Sequence, residues 1–595
     1  MADPQVEYAG RLKARLETLA EHTRAHIRLG NEKLGAVALT LLMGWLSFGR
    51  HLFPLYWVVI PVVAFIDLAF VHERRLRARA LAERAADFYR QRIARIEDKW
   101  AGTGSIGERF RSDAHVYADD LDLFGRGSLF ELLSMARTAM GESCLAAWLA
   151  SAAPVDVVQE RQQMVAELRD KLDLREDLAL AGEDLRGRLN PEALVKWAES
   201  APALPSSIWR VIGLVLAVGA VVMLGFGIRT GNFWPLLAIV VVETMIHRFL
   251  KARVHEVISA MDSNARGLEL FWKILKRIEA ESFASPRLSG FARDLKKEGR
   301  LASTAIRKLA RIAYWIEAHD SFMIRLIDIP ILYSVQIGYV AEAWRRRWGG
   351  RVRSWVGAVG EFEAITSLAA YSYEHPQDPF PTFAPENAGA LFHAEDLGHP
   401  LIPVSRCVTN CIRLDRETQV LMVSGSNMSG KSTLLRTVGV NAVLAMAGAP
   451  IRAKSLQLSP LTVGSRLRTT DSLQENRSGF YTEILRIRQV FDQADGKRNV
   501  LFLFDELLEG TNSKDRRVGV EGLLRKLMER SAIGIVTTHD LAMTEITAVL
   551  GPSVSNAHLQ DYVEDGKMRF DYKLRPGVVA RSNTIELMRL IGLPV

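Results

Sequence analysis

The residues with the clearest chemical potential lie in a glycine-rich segment, residues 419–433, which reads QVLMVSGSNMSGKST. From Gly425 to Ser432 it fits the P-loop pattern G-x-x-x-x-G-K-S, in the required position after an apolar strand and before a helix. The glycines let backbone N–H groups point at phosphate oxygens, and the helix N-terminus favours negative charge. Lys431 would neutralise the β- and γ-phosphates, and the Ser432 hydroxyl would ligate Mg²⁺. The segment therefore predicts a binding site for nucleotide phosphates.

A second segment, residues 499–506 (NVLFLFDE), is an apolar run that ends in two acids. Such a run predicts a buried strand that delivers both carboxylates to the C-terminal edge of a parallel sheet, where ligands bind. Asp505 would hold Mg²⁺, directly or through water, and Glu506 would act as general base toward the attacking water. A strand at 532–538 ends at His539, which is placed to sense the γ-phosphate, although one histidine at a strand end is more often incidental. Together, in this order, the three segments predict an ATPase.

The motifs around this site resemble those of one family. Asn-Met at 427–428 is typical of its P-loop, the loop SGFYTE at 478–483 is similar to its Ser-Thr-Phe-x-x-Glu motif, and FDYKL at 570–574 is similar to its C-terminal nucleotide-edge motif. On these residues the region 399–595 resembles the ATPase domain of the MutS mismatch-repair family.

This resemblance implies a homodimer with composite ATP sites. Ser478 of one subunit would reach the γ-phosphate bound by the other, and hydrolysis would release the pairing. Cys407 stands where the family has its aromatic residue on the adenine, so base stacking would rest on Tyr572, and Glu509 replaces the usual arginine of the dimer-contact loop. The implied catalytic residues are Glu506, Lys431, His539 and, in trans, Ser478; the Mg²⁺ ligands are Ser432 and Asp505; the ATP-binding residues are Gly425, Asn427, Met428, Gly430, Lys431, Ser432, Thr433, Asn410 and Tyr572.

The resemblance extends upstream, so that roughly 115–200 and 255–595 are similar to the family's helical core, lever and ATPase regions. Before the core the family has a mismatch-reading domain, with a Phe-x-Glu wedge that enters the minor groove. Here that space holds a basic helix and an apolar hairpin. Mismatch readout by insertion and kinking therefore has no candidate residue, and we expect a variant of the family without this domain.

The mean hydropathy of +0.05 is high for a chain in which 24% of the residues are charged. The apolar residues gather in four segments, at 34–49, 52–71, 211–228 and 233–246. Spanning a bilayer takes about 20 apolar residues, so the second and third segments are long enough, and the other two are short unless flanking residues snorkel. Each pair predicts a transmembrane helical hairpin. The alternative is four buried core helices of a soluble protein.

Lysine and arginine flank these segments unevenly. They are concentrated before the first segment and after the second and fourth, whereas the two outer turns hold only Arg50 and Arg229. Both hairpins would then enter and leave from the cytoplasmic side. We expect a multi-pass protein of a bacterial cytoplasmic (inner) membrane, in contact with lipid, with the ATPase domain in the cytoplasm. Asp67 and Glu243 lie inside two segments, either as functional acids or as side chains that reach the interface.

The remaining composition narrows the fold class. With 48% hydrophobic residues the chain is neither a disordered tail nor collagen-like, and its three cysteines (Cys144, Cys407, Cys411) make no disulfide framework. We expect an α/β P-loop ATPase domain at the C-terminus, joined to an all-α core and lever region that carries two transmembrane hairpins. The expected domains are 1–33 (basic amphipathic helix), 34–73 (hairpin 1), 74–208 (helical core), 209–248 (hairpin 2), 249–375 (helical lever and connector) and 376–595 (ATPase domain).

The sequence leaves two functions open. In the first, the ATPase also binds mismatched or branched DNA in a repair-related role. The net charge of +8 and a basic aromatic patch at 344–355 (WRRRWGGRVRSW) fit phosphate and base contacts, although such a patch is also typical of a solvated helix end or a membrane interface. In the second, a membrane-associated ATP-driven switch moves the lever helices without DNA. A transporter ranks third, because four short helices make a thin pathway.

Overall fold

The computed structural model describes residues 3–181, 190–259, 265–296, 299, 301–319, 328, 331–467, 479–495, 499–564 and 567–579, apart from 51 and 53. The chain folds as two compact units, residues 1–103 with 172–183, and residues 104–171 with 184–595. The described α-helices are α1 (Pro4–Arg50), α2 (Val59–Ile96), α3 (Leu129–Leu133), α4 (Ala139–Ala150), α5 (Val155–Arg169), α6 (Leu172–Leu180), α7 (Pro191–Glu199), α8 (Ile208–Thr230), α9 (Trp234–Ser259), α10 (Ala265–Ala280), α11 (Pro286–Leu295), α12 (Ala302–His319), α13 (Tyr333–Glu374), α14 (Lys431–Ala447), α15 (Gly479–Gln493), α16 (Ser513–Glu529) and α17 (Ile546–Leu550).

In the first unit, α1 and α2 pack as an antiparallel pair. Tyr8 on α1 meets Tyr89 on α2 with ring centroids 5.9 Å apart. Further along the pair, Nδ1 of His26 lies 2.6 Å from Nε2 of His72. α6 packs against α2 and completes this unit.

The helix α1 runs through one predicted boundary. It is a single helix from Pro4 to Arg50, so the predicted basic helix (1–33) and apolar segment (34–49) are continuous with each other. No proline interrupts it after Pro4, and contact with α2 carries the helix through both segments. The basic residues of 1–33 and the apolar residues of 34–49 therefore follow each other along one helix.

Two of the described helices are long and apolar enough to cross a membrane. They are Tyr56–Ile96, which is α2 with the turn before it, and Ile208–Thr230, which is α8. Only 11% and 22% of their most apolar windows are buried, which does not fit buried core helices. The partner of each, α1 and α9, does not meet the same criterion, so the four predicted spans reduce to two by length and composition. α8 and α9 still pack antiparallel, with the Phe233 ring over Gly227.

In the second unit, α13 links the α8–α9 pair to the helices around the C-terminal domain. Near its start, the Gln336 amide donates to the backbone oxygen of Arg210 on α8 at 3.2 Å. Near its end, the Glu363 carboxylate accepts hydrogen bonds from the Arg137 N–H at 2.9 Å and from the Thr138 hydroxyl, at the start of α4. α4 and α5 in turn pack against α14. A continuous packed path thus runs from α8–α9 to α14.

The described part of the C-terminal domain forms two sheets. The strands are β1 (Thr382–Phe383), β2 (Phe392–Leu397), β3 (Asn410–Leu414), β4 (Val420–Ser424), β5 (Ser455–Leu458), β6 (Leu461–Arg466), β7 (Asn499–Asp505), β8 (Ile533–Thr538), β9 (Val554–Glu564) and β10 (Lys567–Pro576). One sheet has the order β1-β5-β2-β3 and the other β10-β9-β4-β8-β7-β6.

The second sheet is parallel from β9 to β6, and β10 is antiparallel to β9. Every residue of β4 and β8 is buried, as parallel strands covered on both faces require. The expectation of an α/β domain after an all-α region is confirmed. The carboxyl ends of β4, β7 and β8 meet at one edge, and there the sheet presents its polar residues.

Candidate functional site

The P-loop connects β4 to α14 at the centre of the sheet. Gly430 has φ of +95°, in the left-handed region, and a Cβ at this position would lie 2.8 Å from Cδ1 of Tyr572. Glycine is therefore the residue that fits both the turn and the aromatic ring beside it. α14 starts at Lys431, so its first N–H groups face the loop, in the arrangement that binds phosphate at helix N-termini.

Lys431 is buried, and its ammonium turns into the loop. Its Nζ donates to the backbone oxygens of Gly425 and Ser426, both at 2.9 Å, and lies 3.4 Å from Oε1 of Glu506. One cation thus joins the P-loop to the end of β7. In this position it can neutralise phosphate oxygens that enter the loop.

The predicted Mg²⁺ ligands Ser432 and Asp505 lie together. The Ser432 hydroxyl donates to Oδ2 of Asp505 at 2.5 Å, and the buried Thr537 hydroxyl donates to Oδ1. A hydroxyl and a carboxylate on neighbouring elements are the hard oxygen donors that Mg²⁺ prefers. These two side chains therefore fit the cation that the P-loop implies, with β8 orienting the carboxylate.

Glu506 and His539 also meet, at the ends of β7 and β8. Nδ1 of His539 lies 3.1 Å from Oε1 of Glu506 and 3.8 Å from Oε1 of Glu509. Burial opposes the charge of Glu506, but the hydrogen bond from His539 and the charge of Lys431 lower its pKa below the usual range. Burial and the neighbouring Glu506 raise the pKa of Glu509. His539 thus contacts Glu506 directly, and Glu506 is the more readily ionised of the two carboxylates.

A cavity of about 410 Å³ lies beside the P-loop. Tyr572 lies at its wall with φ of +55°, and Met428 is largely exposed. Asn410 lines the cavity, but its side chain serves β10: its amide donates to the Tyr572 oxygen at 3.0 Å and its oxygen accepts from the Leu574 N–H at 2.8 Å. Asn410 thus positions the strand that carries Tyr572. The predicted residues on this wall are Asn410, Asn427, Met428, Gly430, Lys431, Ser432, Thr433, Cys407 and Tyr572.

His399, the first residue of the region 399–595, also lines this cavity. Burial, together with the charge of Arg436, lowers the pKa of His399 to about 4. A neutral imidazole beside a nucleotide site adds no positive charge to it. Ser478, the residue expected to act in trans, lies outside the described residues; α15 begins at the next residue, Gly479.

Part of the basic aromatic patch at 344–355 is buried. Trp344 stacks on Trp197 of α7 with centroids 5.9 Å apart. Arg345 is buried and donates to Oγ of Ser200 at 2.7 Å and to the oxygen of Ala201 at 2.9 Å. Trp355 is also buried. Trp344, Arg345 and Trp355 are therefore not available to bases and phosphates, whereas Arg346, Arg347 and Arg353 are exposed.

The sheet order, the P-loop and the paired acids define a P-loop nucleotide-binding domain. Residues 421–595 match the family model described as MutS domain V. The chain is 34% identical over 204 residues to an endonuclease MutS2 of Thermus thermophilus, covering 33% of this chain and 26% of that protein. It is 23% identical over 518 residues to a DNA mismatch repair protein MutS of Lactobacillus delbrueckii, covering 79% of this chain and 58% of that protein.

A third relative, a DNA mismatch repair protein MutS of Geobacillus thermodenitrificans, is 28% identical over 251 residues, or 41% of this chain and 27% of that protein. These matches support membership of the MutS family, as the sequence motifs predicted. It spans about a quarter of the length of the MutS2 relatives it matches, and 58% of the Lactobacillus protein.

Proposed function

We propose that the protein is a Mg²⁺-dependent ATPase. The observation that carries this proposal is the convergence of Lys431, Ser432, Asp505 and Glu506 at one sheet edge, beside the cavity and the Tyr572 ring. Family membership supports the same activity. Turnover of ATP by the purified chain, with and without Mg²⁺, tests it, and no turnover under either condition contradicts it.

Each side chain has a separate task in this reaction. Lys431 neutralises the phosphate oxygens, while Ser432 and Asp505 hold Mg²⁺, which when bound offsets the charge that develops on the β- and γ-oxygens. Glu506, kept ionised by His539 and Lys431, accepts the proton of the attacking water. Tyr572 offers its ring to the base, and Gly425, Gly430 and Thr433 shape the phosphate loop.

We further propose that two ATPase domains pair so that Ser478 of one completes the site of the other. The likeness of residues 478–483 to the family loop supports this pairing. Glu506→Gln removes the general base and keeps the residue's size, and so it is expected to trap an ATP-bound dimer. Light scattering of this variant with and without ATP measures the trap, and a mass that ATP leaves unchanged argues against the pairing.

We also propose that the α1–α2 and α8–α9 pairs enter a bacterial cytoplasmic membrane, with the ATPase domain in the cytoplasm. The apolar, exposed windows of α2 and α8 support insertion, and the lysine and arginine flanks support this orientation. Retention of the protein in the membrane fraction after alkaline washing tests the proposal. Release by the wash would argue for peripheral binding.

Two outputs of ATP hydrolysis have support from different observations. The names of the relatives, endonuclease MutS2 and DNA mismatch repair protein MutS, support a DNA repair-related role on mismatched or branched DNA. The packed path from α14 through α4, α5 and α13 to α8–α9 supports a membrane-associated switch. Binding of the detergent-solubilised protein to homoduplex, mismatched and branched DNA, across salt and with and without ATP, separates them. Salt-dependent binding favours the first and none at low salt favours the second.

A further inference from the structure

The loop that carries Glu506 has an unusual backbone. Glu506 and Leu508 both have positive φ, +51° and +55°, although neither is glycine. Such positions cost energy and persist where surrounding contacts hold them. The pose of the catalytic carboxylate therefore depends on whatever fixes residues 506–510.

The contacts that fix this loop come largely from the start of α15. Oε1 of Glu483 accepts a hydrogen bond from the Leu508 N–H at 2.8 Å. The Phe480 ring packs on Gly510, where a Cβ would lie 3.1 Å from the ring atom Cδ2. On the other side, the Arg516 side chain donates to the Leu507 oxygen at 2.8 Å.

Glu483 is also tied to the end of the strand before Glu506. Its Oε2 lies 3.1 Å from Nη2 of Arg466, and both side chains are buried. The other guanidinium nitrogen of Arg466 donates to the backbone oxygen of Asp505 at 2.7 Å. The buried ion pair between Glu483 of α15 and Arg466 thus contacts both the last residue of β7 and the strained loop.

We propose that Glu483 and Arg466 are positioning residues that hold Glu506 in its catalytic pose. They touch neither the nucleotide cavity nor the Mg²⁺ ligands' side chains, and they act through the backbone of residues 505–508. Because α15 directly follows the segment that ends at Ser478, this pair also connects the proposed partner contact to the general base. The inference rests on the proposed ATPase function.

The experiment compares carboxylate-to-amide changes on one helix. Glu483→Gln keeps the side-chain size but breaks the ion pair with Arg466. Asp492→Asn makes the same chemical change at an exposed position of α15 that pairs with Arg488 on that helix. We expect Glu483→Gln to lower kcat by about tenfold or more, since small displacements of reacting groups have effects of this size. The Kd for ATP is expected to stay within about twofold of wild type, because the P-loop is untouched. Asp492→Asn is expected to change neither.

A general loss of folding would raise the Kd for ATP and lower kcat together. A lower kcat with an unchanged Kd therefore identifies a positioning role. Arg466→Lys provides a second test if Glu483→Gln does not fold: lysine keeps the charge but cannot reach both Glu483 and the Asp505 oxygen in a fork. The same selective loss of kcat is expected. Wild-type kcat in a folded Glu483→Gln protein, beside an inactive Glu506→Gln protein, overturns this inference and leaves the proposed ATPase standing. An inactive wild type overturns both.

Discussion

At the scale of single residues, the proposed mechanism gives different tasks to two carboxylates that have different neighbours. Asp505 is held by two hydroxyls and faces the P-loop, whereas Glu506 is held by a cation and an imidazole. Asp505 is thus oriented for a metal and Glu506 is kept ionised for proton transfer. The two acids are adjacent in sequence, and the turn after β7 separates their roles.

Thr537→Val tests the support of Asp505. Valine keeps the volume of the buried threonine but leaves one carboxylate oxygen without its donor. A hydrogen bond to a charged group contributes about 1.5–3 kcal/mol, and we expect a loss of this size in the free energy of unfolding, together with a higher Mg²⁺ requirement for ATPase activity. Chemical denaturation and Mg²⁺ titration measure both.

Thr437→Val is the control for this prediction. The Thr437 hydroxyl donates to the Thr433 oxygen within α14, a local bond that adds little to helix stability. An equal rise in the Mg²⁺ requirement of both valine variants would show that the Thr537 hydroxyl does not support Mg²⁺ binding through Asp505.

Tyr572→Ala tests the wall of the cavity. Stacking of a base on an aromatic ring contributes about 1–3 kcal/mol, so we expect the Kd for ATP to rise by about tenfold, and Tyr572→Phe to bind as wild type does. Titration with a fluorescent ATP analogue measures these values. The control is Tyr562→Ala, which changes an exposed tyrosine on β9. An unchanged Kd for Tyr572→Ala would show that the ring does not stack on the base.

At the scale of elements, the joint between α13 and α4 has a titratable centre. Burial raises the pKa of Glu363 to about 7 against its usual 4.5, although the hydrogen bonds from Thr138 and the Arg137 N–H oppose this. A carboxyl whose pKa is higher in the folded state favours folding when it is protonated. Its contribution is therefore full below about pH 4.5 and is lost as the pH rises through about 7.

Glu363→Gln should remove this pH dependence. We expect the melting temperature of the wild type to fall between pH 5 and pH 8 by more than that of the variant, with a difference of about 1–3 kcal/mol in stability. Glu361→Gln, on the same helix and 3.5 Å from Arg287, should behave as wild type. Parallel melting curves for wild type and Glu363→Gln across this range would contradict the assignment.

At the scale of the whole molecule, the ATPase domain and the apolar helices belong to one chain, and the proposed topology places them on defined sides of a membrane. Thr230→Cys at the outer turn of the α8–α9 pair is expected to react with an impermeant thiol reagent added to intact cells. Ser354→Cys, exposed on α13, is expected to react only after the cells are opened. The native cysteines are replaced first, and labelling is read on gels. If Thr230→Cys is not labelled in intact cells, the proposed orientation of the α8–α9 pair, or its insertion into the membrane, is wrong.

Much of the nucleotide site could be predicted from the sequence because its parts are local. A P-loop is a contiguous strand, turn and helix, and an apolar run ending in Asp505-Glu506 predicts both the strand and the edge where its acids emerge. The likeness to MutS rests on the same short motifs. The apolar windows in α2 and α8 also follow from composition alone.

Only the tertiary structure decided which faces are buried and which distant residues meet. The sequence predicts a basic aromatic surface at Trp344 and Arg345. In the fold, Trp197 of α7 packs on Trp344, and Ser200, which follows α7, accepts a hydrogen bond from Arg345. Glu483 and Arg466 carry no sequence signal for their shared contact, because it joins an edge strand to a helix across the end of β7. Periodicity and spacing determine the type of an element and its local chemistry, while burial depends on partners far along the chain. For that reason the sequence by itself predicted the proposed ATPase chemistry, and the fold alone showed the contacts of Glu483 and Arg466 beside Glu506.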